Sequence, residues 1–394
     1  MKLWRKILAM TMLFAVLLSL SGCMLLSDGQ NETVSVPPLS AGEGDYQKKL
    51  NEVISILDQY YIDGYDKTDL GDYLASAAVA ASGDRWSYYM TAEEYADKQN
   101  EDNNAYVGIG VTVTQAENGY LISDVTPNGP AQEAGLQIND IIVLVEGQDV
   151  IELGLDAMKN LIRGEEGTTV NLTVLRGSER IAFTVERKLV QIEVVSHELL
   201  ADGTGYIKIS QFSNDVSSLT IKAIESLRAE GATGLVFDLR FNPGGFKNEL
   251  VKLLDYLLPQ GTLFRSVDYA GNEQVDSSNP DCLEMPMAVL INQDSYSAAE
   301  FFAAALQEYE WATIVGTQTT GKANYQSTFE LSDGSAIAIS TGHYQTPKGV
   351  TLEGVGVTPD IIVEVDEETY YDIYYDRLSA QEDAQLQAAI ASLK

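Results

Sequence analysis

Three hydrophobic periodicities follow one another along this chain, and their order constrains its fold more than any other feature. Between residues 45 and 100 the apolar residues recur at helical spacing, first Leu50, Val53, Ile54 and Leu57, then Leu74, Ala77, Ala78 and Ala81. Asp84-Arg85-Trp86-Ser87-Tyr88-Tyr89 breaks this pattern ahead of another acidic helix near Ala92–Gln99. From 103 to 190 the pattern turns to short strands at Tyr106–Thr114, Tyr120–Val125, Ile141–Val145, Val170–Leu175 and Ile181–Val185. Helical stretches at Ala131–Ala134 and Leu155–Ile162 interrupt them. From 195 to 366 strands and helices alternate, with buried-strand runs at Leu235–Leu239 and Met287–Ile291 and a turn signal at Asp333-Gly334. The order predicts an α/β multidomain protein: a helical region over 45–102, a small β domain over 103–190 and an α/β core over 191–366. An acidic, Tyr-rich tail over 367–394 ends in a helix near Ala380–Leu393. No internal repeat is visible, and 394 residues suit two or three domains.

The residues ahead of 45 are of another kind. Lys2, Arg5 and Lys6 form a basic start, and Ile7–Leu20 is apolar but too short to span a bilayer of ~30 Å. This reads as a secretory signal over 1–22. Leu20-Ser21-Gly22-Cys23 resembles the bacterial lipobox, in which the Cys is lipidated and becomes the mature N-terminus. An ordinary signal peptide that ends near a Cys is the alternative. On the lipobox reading, 23–44, with Asn31, Pro37, Pro38, Gly42 and Gly44, is a tether. The protein is then lipid-anchored through Cys23 on the extracytoplasmic side of a bacterial cell membrane.

Composition narrows the function. With 45% hydrophobic and 21% charged residues the bulk is globular, not disordered. Acidic residues outnumber basic ones 58 to 25, a formal net charge of −33, so phosphate backbones would repel the chain and no nucleic-acid partner is expected. With only two Cys and two His, a Cys/His zinc site would need all four and is not expected, a disulfide framework is excluded, and no metal or cofactor is expected. Cys282 reads as a small buried hydrophobe, His197 as an ordinary strand or loop residue and His343 as structural.

The chemistry-bearing residues gather between Leu239 and Gln326. Asn292-Gln293-Asp294-Ser295-Tyr296-Ser297-Ala298-Ala299-Glu300 follows a buried strand and opens a helix whose first N–H groups are unpaired. A Ser on such a turn usually serves only as a cap, but the same geometry projects the nucleophile of several hydrolases. Gly321-Lys322-Ala323-Asn324-Tyr325-Gln326 places a Lys in a Gly-containing loop after the strand Thr313–Val315. With two His, a Ser–His–Asp triad has few candidate bases, and a Lys can replace His where burial leaves its amine neutral near neutral pH. In Asp238-Leu239-Arg240-Phe241-Asn242-Pro243-Gly244-Gly245, the Gly pair after a buried strand lets backbone N–H groups approach an oxyanion.

Two resemblances rest on these residues. Residues 103–190 resemble a PDZ domain, through Tyr106-Val107-Gly108-Ile109-Gly110-Val111, Pro130-Ala131-Gln132-Glu133-Ala134-Gly135-Leu136, Asn139-Asp140-Ile141-Ile142 and Leu161-Ile162-Arg163-Gly164. Such a domain takes a peptide onto a sheet edge and holds its C-terminal carboxylate in a backbone nest, here expected at Tyr106–Val111. A small β domain without a ligand is the alternative.

Over about residues 45–365 the chain resembles the carboxyl-terminal processing peptidases of the S41 serine family. Their Asp-Leu-Arg-x-Asn-Pro-Gly-Gly pattern is met at Asp238–Gly245, Ser-x-Ser-x-x-Glu at Ser295–Glu300, and Gly-Lys-x-x-x-Gln at Gly321–Gln326. The resemblance implies Ser297 as nucleophile, Lys322 as base, Gln326 as the residue orienting it, and Ala298 with Gly244 or Gly245 as oxyanion donors. It also implies a sheet–sheet–helix core of the crotonase and Clp-protease kind, cleavage of proteins near free C-termini, and Arg163 as a possible gating contact. Tyr296, Ala299 and Ala323 depart from the family pattern without removing a catalytic atom. The oligomeric state stays open, and a silent tail-binding lipoprotein or a solute-binding lipoprotein remain as other classes.

Overall fold

The structure, a computed structural model, describes residues 45–151 and 153–393. The expected signal segment, the tether and Cys23 lie outside the described residues. The chain forms two compact units, one spanning Ala96–Glu193 and the other made of the segments on either side of it.

In the first unit the strands Val111–Ala116, Gly119–Val125, Ile141–Val145, Thr169–Arg176 and Glu179–Glu186 form an antiparallel sheet in that order. Thr169–Arg176 alternates exposed Thr169 and Asn171 with buried Val170, Leu172 and Val174, as a strand with one covered face must. These residues pack with Ile122, Ile142 and Val185, and with Met158 from the helix Leu155–Ile162. Buried Arg187 satisfies the end of that helix, donating to the carbonyls of Ile162 at 2.7 Å and Leu161 at 3.2 Å.

The single strand expected over Tyr106–Thr114 is two. Gly110 has φ 74°, and the Ile109 and Gly110 carbonyls accept from Ala131 and Thr126 outside any ladder. Ala105–Gly108 pairs instead with Lys188–Gln191 as a separate ribbon, and Val111–Ala116 becomes an edge of the larger sheet.

The second unit is built on a six-stranded sheet in the order Val195–Leu199, Thr204–Ile209, Gly234–Asp238, Met287–Ile291, Thr313–Gly316, Ile361–Ile362. All pairs are parallel except the first. Gly234–Asp238 and Met287–Ile291 are buried at every position, which requires cover on both faces. On one face Leu235, Phe237, Val289 and Ile291 meet the helices Val216–Glu230, Lys247–Leu257 and Ala298–Glu308. On the other, Val236, Ala288, Leu290 and Val315 meet Leu386, Ala389 and Ile390.

That second contact corrects the reading of 367–394 as a tail. Its helix Ala384–Ser392 is a structural layer, because it covers apolar strand residues that would otherwise face water. Asp383 and Gln385 also reach buried Arg240, at 2.8 and 3.1 Å.

A second sheet runs Tyr88–Met90, Ala336–Gln345, Thr262–Asp268, Glu273–Ser277, with Asn324–Glu330 also paired to Ala336–Gln345. Phe264 and Tyr344 of this sheet pack on Phe301 of the helix Ala298–Glu308, so the helix is shared by both sheets. The hairpin turns at Gly334, where Leu331 N–H donates to the Ser335 carbonyl at 2.7 Å.

The expected N-terminal region is therefore not wholly helical. Asp45–Tyr60 and Lys67–Ala80 are helices with no buried residue, whereas Tyr88–Met90 is a strand paired with Ala336–Ala338. Cys282 is partly exposed rather than buried and forms no disulfide among the described residues, and His197 and His343 lie exposed on strands.

Candidate active site

The buried strand Met287–Ile291 delivers the chain into a turn that ends at Ser297, N-cap of the helix Ala298–Glu308. Ser297 has φ 58° and ψ −124°, a backbone conformation that costs a non-Gly residue about 1–3 kcal/mol and persists only where its surroundings over-determine it. Here they do. The Ser295 hydroxyl donates to the Leu239 carbonyl at 2.7 Å, Tyr296 N–H to the Asn242 carbonyl at 3.1 Å, and Phe241 N–H to Asn292 Oδ1 at 2.9 Å. The Asp238–Gly245 and Asn292–Ser297 loops are thus stitched to each other before any substrate arrives.

Glycine makes their approach possible. A Cβ on Gly244 (φ 91°) would lie 2.7 Å from Ala298 N and 2.8 Å from Ser297 Cβ, and one on Gly245 would lie 2.0 Å from the Phe212 carbonyl oxygen. Gly244 N–H itself donates to Asn242 Oδ1 at 2.7 Å. Ala298, by contrast, carries the first N–H of its helix, one of the four that a helix leaves without an internal acceptor.

Glu300 joins the Ser297 turn and the lysine loop. Fully buried, its carboxylate accepts from Ser297 N–H at 2.8 Å, Lys322 N–H at 2.8 Å, Gly321 N–H at 2.7 Å and the Thr319 hydroxyl at 2.5 Å. One oxygen, Oε2, takes both the Ser297 and the Lys322 amide. Burial pushes the Glu300 carboxyl above the ordinary glutamate range, against the pull of these four bonds. The sequence held the signal for this role, since Ser-x-x-Glu is capping-box spacing, but the pattern alone did not reveal that the carboxylate serves two loops.

Lys322 is fully buried. Its Nζ lies 4.7 Å from the Trp86 ring centroid and 5.7 Å from that of Tyr296, and the two rings stack 6.1 Å apart. Gln326 is buried too, its Nε2 donating to the Asn324 carbonyl and to Ser340 Oγ, each at 3.0 Å. Its Oε1 has no hydrogen-bond partner among the described residues.

The loop of Asp238 is braced from below. Arg240 donates to both Asp238 oxygens, and the guanidinium holds the Asp238 carboxyl low although burial pushes it up. The segment 367–394 contributes again: the Tyr370 and Tyr374 rings meet Phe241 edge-on at 5.0 and 5.1 Å, and Tyr370 donates to Asp294.

In the other unit, Tyr106, Val107 and Gly108 lie in the two-stranded ribbon, Ile109 is a core residue and Gly110 turns the chain into the edge strand. Arg163 is exposed, with its guanidinium 5.9 Å from the Tyr106 ring centroid.

Residues 203–363 match the model of peptidase family S41, and residues 107–186 that of the PDZ domain. A carboxyl-terminal-processing protease of Synechocystis is 32% identical over 321 residues, covering 79% of this chain and 74% of that protein. A CtpA-like serine protease of Staphylococcus saprophyticus is 30% identical over 330 residues, 83% of this chain and 67% of its own length. A solved structure from Bacteroides fragilis, described as an S41 protease, shares the fold with a TM-score of 0.56 at 19% identity, over 86% of this chain and 96% of that one.

Proposed function

The chain belongs to peptidase family S41 and is a serine-type peptidase with a PDZ domain, and we propose that Ser297 and Lys322 form its catalytic dyad. The observation that carries this reading is the shared Glu300 oxygen, which binds the backbones of both residues at 2.8 Å and so couples nucleophile to base. Ser297 Oγ attacks the scissile carbonyl while Lys322, as a neutral amine, takes its proton. Full burial favours that neutral form, because an ammonium withdrawn from water loses its hydration. The tetrahedral oxyanion is held by the N–H groups of Ala298 and Gly245; Gly244, whose N–H is committed to Asn242, serves through its close approach. Lys322 returns the proton to the leaving amine; a water that gives its proton to Lys322 then attacks the acyl-enzyme, the acyl–Oγ bond breaks, and Lys322 passes that proton back to Ser297 Oγ. Gln326 positions the lysine.

Substrates are proteins cut near their C-termini. A substrate tail adds to the edge strand Val111–Ala116, with its carboxylate at the preceding turn around Ile109 and Gly110. The ring contact of Arg163 with Tyr106 supports a coupling between that turn and any gating by Arg163. Lipidation at Cys23, proposed from Leu20–Cys23, anchors the enzyme outside the cytoplasmic membrane. Among the described residues no helix is long and apolar enough to cross one.

The deciding experiment is cleavage of free-acid peptides by the wild type and Ser297→Ala, with mass spectrometry of the products. Products that appear near the C-terminus only with the wild type are expected. Turnover by Ser297→Ala would overturn the reading.

A further inference from the structure

The turn Asp84–Ser87 lies more than a hundred residues ahead of the stretch that matches the peptidase family model, yet its side chains converge on Lys322. Trp86 stacks on Tyr296, the neighbour of Ser297, with an interplanar angle of 25° and its ring facing the lysine amine. Its indole N–H is buried without an acceptor among the described residues. Folding alone disfavours burying such a donor, so the position of the ring is not explained by its own hydrogen bonding.

A second line of contacts leaves the same turn. The Ser87 hydroxyl donates to Asp84, and the Trp86 N–H donates to Asp84 Oδ1 at 3.1 Å. Ser340 N–H donates to Ser87 Oγ at 3.0 Å, and the Ser340 hydroxyl donates to Asp84. Ser340 Oγ in turn accepts from Gln326 Nε2, which fixes the amide with its oxygen as the buried, uncommitted end. Burial pushes the Asp84 carboxyl up, but hydrogen bonds from Ser340, Ser87 and Trp86 outweigh it and hold the group below the ordinary aspartate range.

We infer that the Asp84–Ser87 turn completes the peptidase site: Trp86 is the wall that keeps water from the Lys322 amine, and Asp84, through Ser87 and Ser340, is a positioning residue for Gln326. This rests on the reading of Lys322 as the base. The charged and titratable groups around the lysine include Tyr296, with its ring 5.7 Å from the amine, Asp84 and Arg85 on the turn, Glu300 on the helix, Glu353, which accepts the Ala323 and Asn324 N–H groups, and His343 opposite Asn324 on the neighbouring strand.

Two variants of the turn should move the base in opposite directions. Removing the Trp86 ring admits water, which favours the ammonium, and also removes a cation–π attraction, which disfavours it. For a fully buried amine the first effect is the larger. Trp86→Ala therefore displaces the alkaline rise of activity to higher pH. Asp84→Asn removes a negative charge beside the amine and displaces that rise to lower pH, while the loosened Gln326 lowers the plateau severalfold.

The test is the rate at which a fluorophosphonate labels Ser297 in the full chain, followed from neutral to alkaline pH for the wild type, Trp86→Ala, Trp86→Phe, Asp84→Asn and Lys322→Ala. Trp86→Ala should label about tenfold more slowly at neutral pH, the effect of moving the titration of the base by one pH unit. Trp86→Phe should restore most of the rate. Should Trp86→Ala fail to fold, Asp84→Asn and Trp86→Phe still decide the outcome. An inert Lys322→Ala, together with unmoved pH profiles in the turn variants, would overturn the inference and leave the dyad standing. Wild-type labelling of Lys322→Ala would overturn the dyad itself.

Discussion

The cluster proposed as catalytic and the edge strand of the PDZ unit offer a contrast in how a protein makes a binding surface. At the cluster, Ser297, Glu300, Lys322 and Gln326 are each at most 2% exposed, and their polar groups are tied by bonds between segments far apart in sequence. At Val111–Ala116 the sheet simply ends, and the recognition offered is a row of backbone groups on a strand with mixed exposure. Chemistry needs atoms held to fractions of an ångström, which only an over-determined interior supplies. Tail capture needs a ladder of N–H and C=O groups, which any regular edge provides. Changes at the cluster should therefore act on kcat, and changes at the edge on KM.

The largest effect expected is at the dyad. Ser297→Ala and Lys322→Arg should each lower kcat at least about a thousandfold, with the double variant no worse, because groups that act as one unit lose activity non-additively. Lys322→Arg keeps the charge but cannot serve as a base near neutral pH. Single-turnover cleavage of a free-acid peptide measures this, and an active Lys322→Arg enzyme would break the contrast at its strongest point.

Gly244→Ala comes next. Its Cβ would meet Ala298 N at 2.7 Å with φ at 91°, so the oxyanion loop must retreat from the nucleophile turn. Loss of about a hundredfold in kcat is expected, the scale of one missing oxyanion donor. The acylation rate reports it, and a KM effect alone would contradict it.

Glu300→Gln sharpens the comparison through pH. The Glu300 carboxyl is raised by burial, so its charged form costs stability once the pH exceeds the ordinary glutamate value, and the cost is complete above the raised value. The wild type should lose stability relative to Glu300→Gln as pH climbs from acid to neutral. Chemical denaturation at several pH values tests the sign, and a difference that grows the other way would refute it. Activity should fall about tenfold or more, because the amide oxygen can keep only two of the four donors while the NH2 is left facing the others.

At the PDZ edge, amidating the C-terminus of a peptide should raise KM about tenfold and leave kcat in place, since it removes one charge from the nest. Equal kinetics for amide and acid would remove the tail from the recognition scheme. The smallest effect belongs to Arg163→Ala, which loses an exposed cation–π contact worth about 0.5–1 kcal/mol. A change in cleavage rate without a matching change in stability would mark it as a gate.

Much of this architecture was legible in the sequence because the determining features are local. Continuous apolar runs such as Leu235–Leu239 and Met287–Ile291 can only be strands covered on both sides, and Asp333-Gly334 can hardly be anything but a hairpin. Ser297, Lys322 and Gln326 stood out through their resemblance to a family pattern, and all three are buried in one unit. What escaped was non-local. The break at Gly110 depends on Ala131 and Thr126 drawing two carbonyls out of the ladder, which no strand propensity encodes. The 367–394 segment read as a tail because its acidic surface dominates its composition, while the apolar stripe Leu386, Ala389 and Ile390 has meaning only opposite Val236 and Leu290.

Which residues could bring chemistry to this protein is written locally, since the proposed nucleophile, the amine and the close-packed glycines follow from side-chain type and short-range backbone rules. How they are held is a matter of packing between distant segments. Glu300 becomes the shared acceptor of two loops, and Trp86 the ring over the lysine, because burial makes every uncompensated polar group costly, and the chain meets that cost with partners many residues away.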